Sequence, residues 1–335
     1  MTGIAKVMLL AVIIGPGTYG CQQEASTAPR RGSNPTLHSP STNADVTSQA
    51  LADDPVFTTI HFPGSSFTTA RDLNAAGEIV GRYGGADKRT HGYLRSPDGE
   101  FTSIDVPGAN LTAALGINSH HEIVGATRFP GEPTASRHGF LRTSDGFTTF
   151  DFPGATFTFP QGINPHGDIV GHYIIAGVTH GFLLREGHFT TIDFPGASLT
   201  VTWRINPRGQ IVGGYTDASG NNHVYLLSED GFTTVDLPGD PPAFLETGGI
   251  NPRGDIVGSY CDTKPCTVAS LDTHGFLLSE GEFTRIDVPG FFGPVASSIN
   301  SRGDITGNYC QDSRCTLPAL GFVLSRGERN HAEDE

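Results

Sequence analysis

Apolar positions in this chain recur as three short runs in a fixed order. The first reads FTTIDFPG, with aromatic and β-branched residues in alternation and a stop at Pro-Gly. Versions of it start at Phe57, Phe101, Phe147, Phe189, Phe232 and Phe283. The second reads INPRGDIVG, and its versions start at Leu73, Ile117, Ile163, Ile205, Ile250 and Ile299. The third is HGFL, at His138, His180 and His274, with HGYL at His91, HVYL at His223 and LGFV at Leu320. One copy follows another at intervals of roughly 45 residues, a period that belongs to propellers and solenoids.

Each run predicts a strand. All are short, rich in aromatic and β-branched residues, and bounded by turn residues. Asn-Pro-Arg-Gly places Asn, Pro and Gly at the first, second and fourth positions of a type I turn. That turn joins a short strand ending in Ile-Asn (strand a) to IVGxY (strand b). Asp-Gly in SEDGF and SPDGE turns HGFLL (strand c) into FTTID (strand d). Four antiparallel strands per repeat make one propeller blade, and no segment of the array has helical periodicity. The sixth copy, from Ile299 to about Ser325, lacks a following FTTID, whereas a spare FTTIHF stands at Phe57, ahead of the first copy. If the spare strand completes the last blade, both open edges disappear. The expected fold is therefore an all-β, six-bladed propeller of four-stranded antiparallel blades over 54–326, closed by its N-terminal strand. An open β array is the alternative.

The repeats resemble the HAF family of extracellular repeats. The likeness rests on GINPRGDIVGxY followed by HGFLL, a short turn and FTTIDFPG, and covers Phe57 to Ser325. The family pattern is written around His-Ala-Phe-Leu-Trp; here Gly stands in place of Ala and no Trp follows. The resemblance implies an exported β-propeller-like protein and brings no catalytic residues with it.

Composition narrows the partners. Charged residues are 17% of the chain and the net charge is -14, a surface that repels nucleic acid and anionic lipid. No apolar run reaches the about 18 residues of a spanning helix. Residues 1–20 carry one charge, Lys6, and an apolar run from Val7 to Ile14 broken by Gly15, as in an export signal. Gly20-Cys21 resembles a lipoprotein cleavage site, which makes Cys21 the candidate for lipidation and the only expected link to a membrane. Residues 21–53, rich in Ser, Thr, Ala, Pro and Asn, read as a flexible tether, and 327–335 as a disordered acidic tail. Expected locations are an outer-membrane or cell-surface lipoprotein, or the medium.

The remaining cysteines form two C-x4-C pairs, Cys261 with Cys266 and Cys310 with Cys315, at one place in successive repeats. Export favours a disulfide within each pair. The competing four-cysteine zinc site would need two loops to converge, at a spacing unlike a zinc ribbon. Neither a metal nor a cofactor is expected. The recurrent His invites a metal ring, but copies of one position in different blades lie far apart, and the sixth copy is Leu320. A hydrogen bond within each blade is the better account.

Antiparallel order sorts the connections. The a–b and c–d turns are short and uniform and share one face. The b–c and d–a connections vary and share the other, where function is expected. The candidate ligand-binding residues on the d–a segments are Arg71, Phe159, Gln161, Trp203, Arg204, Phe244 and Glu246. Aromatic faces beside polar groups suit sugars or peptide side chains; the competing role is to fill the gaps between blades. The expected function is a monomeric binding module for a glycan or protein. One alternative is a glycoside hydrolase or lyase at the axis mouth, using carboxylates such as Asp72, Asp240 and Glu246. The other is a scaffold without a small ligand.

Overall fold

The computed structural model describes residues 36–37, 55–237, 243, 248–263, 272–288, 290–312 and 319–325. These form an all-β propeller of four-stranded antiparallel blades. In the first repeat Thr68–Leu73, Ile79–Gly84, Thr90–Arg95 and Phe101–Ile104 pair in chain order. The second repeat pairs Leu111–Ile117, Ile123–Arg128, His138–Thr143 and Gly146–Phe150 in the same way. A single parallel pair, Thr90↔Leu111, joins these two blades. The ladders that start at Phe157, Leu199 and Gly249 repeat the order.

The last ladder starts with Phe292–Ile299, Ile305–Cys310 and Leu320–Ser325, and its fourth strand comes from the other end of the chain. Val56–Ile60 pairs antiparallel with Leu320–Ser325, Val56 opposite Ser325 and Ile60 opposite Gly321. The displaced FTTIHF strand thus closes the edge that the last repeat leaves open. Thr36–Leu37, expected within a flexible tether, instead pairs in parallel with Thr234–Val235. Cys21 lies outside the described residues.

Each a–b turn is built by its Asn. In the third repeat Asn164 Oδ1 accepts hydrogen bonds from the backbone N–H of His166 and Asp168, 2.9 and 3.0 Å away. Gly167 stands at φ 81, which glycine adopts without a Cβ clash. The same Asn side chains also tie neighbouring blades together. Asn74 Nδ2 donates to the Asn118 carbonyl (3.3 Å), and Asn118 to that of Asn164 (3.1 Å). Asn206 donates to Asn251 (3.1 Å) and Asn251 to Asn300 (3.3 Å). Asn300 then returns to the Asn74 carbonyl at 3.2 Å. Each of these Asn is buried, so a side chain that only shaped a turn would leave polar hydrogens unpaired at a cost.

A second set of bonds between blades is aromatic. The Phe of FPG stacks on the Tyr of the next blade's IVGxY: Phe62 on Tyr83 at 3.6 Å, Phe152 on Tyr173 at 3.5 Å, and Phe194 on Tyr215 at 3.7 Å. At the boundary of the first and second blades Val106 and Thr127 stand in place of this pair, and Leu237 and Val288 replace the Phe ahead of Tyr260 and Tyr309. The IVG glycine is forced by packing. A Cβ on Gly125 would lie 1.9 Å from the Ala113 carbonyl oxygen and 2.9 Å from the Phe140 ring.

Candidate binding face and the filled axis

Five inner strands carry a β-bulge, between Ala70 and Asp72, Ala114 and Gly116, Pro160 and Gly162, Thr202 and Arg204, and Ala296 and Ser298. A bulge inserts one unpaired residue and re-aims the backbone. It also lengthens the inner strand well beyond the short Ile-Asn strand expected from sequence. Arg71, Phe159, Gln161, Trp203 and Arg204, expected on d–a connections, therefore lie on inner strands, and all five are buried. Phe244 and Glu246 lie outside the described residues.

Trp203 has no exposed surface and packs with Val201, Val224, Tyr260 and Phe276. Its ring presses on the next blade so closely that a Cβ on Gly248 would sit 2.5 Å from it. Trp203 thus fills the space between blades, the role that competed with ligand contact. Phe159 faces His172, ring centres 5.2 Å apart, and Gln161 Nε2 lies 3.2 Å from His172 Nδ1. Burial pushes the His172 pKa down to about 4.

Arg204 has the most connected side chain of the set. Nη1 donates to the carbonyls of Gln161 and, at 2.9 Å, of Trp203; Nη2 donates to those of Arg71 and, at 3.1 Å, of Leu115. These four carbonyls belong to the bulge residues of four successive blades. Arg204 Nε lies 3.3 Å from Asp72 Oδ1. Asp72 also accepts from the backbone N–H of Leu73 and Ile117, each 2.9 Å away, and from the Ser298 hydroxyl of the closing blade. The residue two before each Asn is Asp72, Gly116, Gly162, Arg204, Gly249 and Ser298 in turn. Glycine leaves room at this position: a Cβ on Gly162 would approach the Trp203 carbonyl oxygen to 2.9 Å. Asp72, a candidate for chemistry at the axis mouth, is committed to a buried guanidinium and three further donors. Its partners in that reading, Asp240 and Glu246, lie outside the described residues.

The opposite pattern holds on the b–c and d–a face. Of the five exposed large hydrophobic residues among the described residues, four lie on its connections or at the strand ends beside them: Ile175 (38%), Val178 (43%), Phe291 (36%) and Phe292 (39%); the fifth, Val56, starts the closing strand. Phe291 stands over Tyr309 at 4.3 Å. The recurrent His sits at the same end. Its Nδ1 bonds the Asp that ends strand d of its own blade: His91 to Asp105 (2.8 Å), His138 to Asp151 (2.8 Å), His180 to Asp193 (2.9 Å) and His274 to Asp287 (2.7 Å). In these four blades it is the bond within the blade that the sequence suggested; in the fourth blade His223 Nε2 instead lies 3.1 Å from Asp217. Where Leu320 replaces His, His61 replaces the Asp. Among the described residues no group of three His, Cys, Asp or Glu side chains could hold a metal ion. No helix among them is long and apolar enough to cross a membrane. Cys261 and Cys310 are each disulfide-bonded; Cys266 and Cys315 lie outside the described residues.

The backbone is similar to that of AofleA from Arthrobotrys oligospora. The two share 11% sequence identity at a TM-score of 0.52, over 82% of this chain and 87% of that one. An Aleuria aurantia lectin mutant in complex with Fucalpha1-6GlcNAc matches at a TM-score of 0.47 and 9% identity, over 80% of this chain and 99% of the lectin. TolB from Acinetobacter baumannii matches at 0.47 and 13% identity; the match covers 77% of this chain and spans 54% of TolB. The likeness to AofleA, at 11% identity, carries the fold and leaves the ligand open. No protein-family model matches the sequence, and no curated protein does.

Proposed function

We propose that the protein is an exported six-bladed propeller of the HAF-like repeat class that binds a glycan or protein ligand through its b–c and d–a face. The count of six rests on the six repeats and on the Asn bonds, which link Asn74 through Asn118 to Asn164, and Asn206 through Asn251 and Asn300 back to Asn74. The observation that carries the binding face is the contrast between the two regions open to a ligand. The axis is filled by Arg204 and Asp72, whereas Ile175, Val178, Phe291 and Phe292 stand exposed at the strand ends and connections of the variable face. Exposed apolar groups on loops held by a rigid scaffold are where recognition concentrates. The export signal, lipidation at Cys21 and the pairing of Cys261 with Cys266 and Cys310 with Cys315 belong to the same reading. On this reading the propeller stands outside the cytoplasm. A screen of the full chain against glycan and peptide arrays tests it. The reading expects hits that weaken in Phe292→Ser. Hits untouched by every substitution on this face would move the site elsewhere.

A further inference from the structure

Three of the recurrent histidines, His91, His138 and His274, have a carboxylate within hydrogen-bond reach of both ring nitrogens. His91 Nδ1 lies 2.8 Å from Asp105 at the end of strand d, and Nε2 lies 3.0 Å from Asp87 in the b–c connection. His138 repeats this with Asp151 at 2.8 Å and, from its own b–c connection, Glu132 at 2.9 Å. A neutral imidazole has one N–H and can donate to one carboxylate; the imidazolium donates to both. We propose that His91 and His138 are protonation latches, holding the b–c connections of the first two blades to the ends of strand d while charged and freeing them when neutral.

The surroundings support this. His91 stacks on Tyr83 at 5.1 Å, and Arg89 lies 3.7 Å from Asp87. His138 lies against Phe129 at 5.8 Å, and the charge of Arg128 acts on Glu132. Burial disfavours the charged ring in both, but the hydrogen-bonded carboxylates outweigh it and raise each His above its ordinary 6.5. The hydrogen bond from His91 lowers Asp87. Burial would raise Glu132, but the Phe129 N–H and His138 bring it down. A His whose folded pKa is raised stabilises fully below the unfolded value, and that contribution is lost as pH rises through the folded pKa. The latch is thus shut at mildly acidic pH and opens on the alkaline side.

Two other blades serve as controls. In the third, His180 Nδ1 meets both Asp193 oxygens, at 2.9 and 3.0 Å, and the b–c connection is a tight turn at Ala176-Gly177 with no carboxylate. In the fifth, His274 Nε2 also meets a b–c carboxylate, Asp262 at 3.1 Å, but Arg285 Nη2 reaches the same nitrogen at 3.0 Å and its Nε bonds Asp287 at 2.6 Å, so a permanent cation already stands in the grip. The latch does not depend on whether the face binds a ligand.

Hydrogen exchange of the full chain at about pH 5.5 and about pH 9, wild type beside His91→Gln, tests the latch, because each comparison at one pH cancels intrinsic rates. Segment 85–90 should be protected roughly tenfold over the variant at the lower pH and equally exposed at the higher, the scale of one charge-assisted hydrogen bond. Segment 130–136 should keep its own pH response in that variant, and 175–178 should show none. Asp87→Asn, which removes one anchor and leaves the ring, should flatten segment 85–90 in the same way. An equal wild-type advantage at both pH values, or a His91 ring that titrates below 6.5 by NMR, would overturn the proposal.

Discussion

Arg204 reaches Asp72 at 3.3 Å from an inner strand three repeats further along the chain. Neither residue fits the Gly-Ile-Asn pattern at its position, and each accommodates the other. Breaking a buried ion pair by removing one partner leaves an uncompensated charge. Arg204→Gly or Asp72→Ser alone should therefore cost about 3–5 kcal/mol of unfolding free energy. The double change Arg204→Gly with Asp72→Ser, which installs residue types already found at this position, should recover most of the loss. Denaturant titration of the four proteins checks this; additive losses would contradict it.

Tyr93 and Tyr225 occupy positions where the other blades carry Phe140, Phe182, Phe276 and Phe322. Both rings are fully buried, and neither hydroxyl has a hydrogen-bond partner among the described residues. Burial pushes both phenols well above their usual pKa. Removing an unpaired buried hydroxyl relieves its desolvation cost, so Tyr93→Phe and Tyr225→Phe should each stabilise by about 1 kcal/mol. A loss of stability in calorimetry would mean that the hydroxyl is paired.

Phe152 and Tyr173 stack at 3.5 Å across a blade boundary. A double-mutant cycle to Leu at both positions should give a coupling of about 1 kcal/mol beyond the two single losses. Zero coupling would reduce the stack to simple burial.

His172, sandwiched against Phe157 and Phe159, is held neutral by burial, with its pKa down to about 4. Between pH 6.5 and about 4 the unfolded chain takes up a proton that the folded chain refuses, so stability should fall across that window. His172→Gln should flatten this part of the acid limb. An unchanged limb would show that the ring is charged in the folded state.

Much of the fold was legible because each repeat states its own turns and strands. Asn-Pro-x-Gly announces a turn locally, and the missing FTTID of the last copy announces the strand exchange at Phe57. What could not be read was whatever links one repeat to another. Asn74 Oδ1 serves its own turn, but its Nδ2 serves a carbonyl in the next repeat, and no local pattern marks that bond. The candidate site suffered for a related reason. The bulge at Trp203 extends the inner strand into residues that resemble a connection, so Trp203 and Arg204 looked like loop groups although they are buried. One signal did lie in the sequence: Phe62, Phe152 and Phe194 are each followed by a Tyr in the next IVGxY, a recurrent aromatic pair that points to a contact across the blade boundary.

Affinity for the strongest array hit, measured by titration in two matched variants, tests the central claim most directly. Phe292→Ser lies on the b–c and d–a face, and Arg208→Ser lies on an a–b turn of the opposite face; both residues are exposed. The account predicts a loss of about tenfold or more in Phe292→Ser, the scale of an interface hot spot, and unchanged affinity in Arg208→Ser. The reverse order would contradict it.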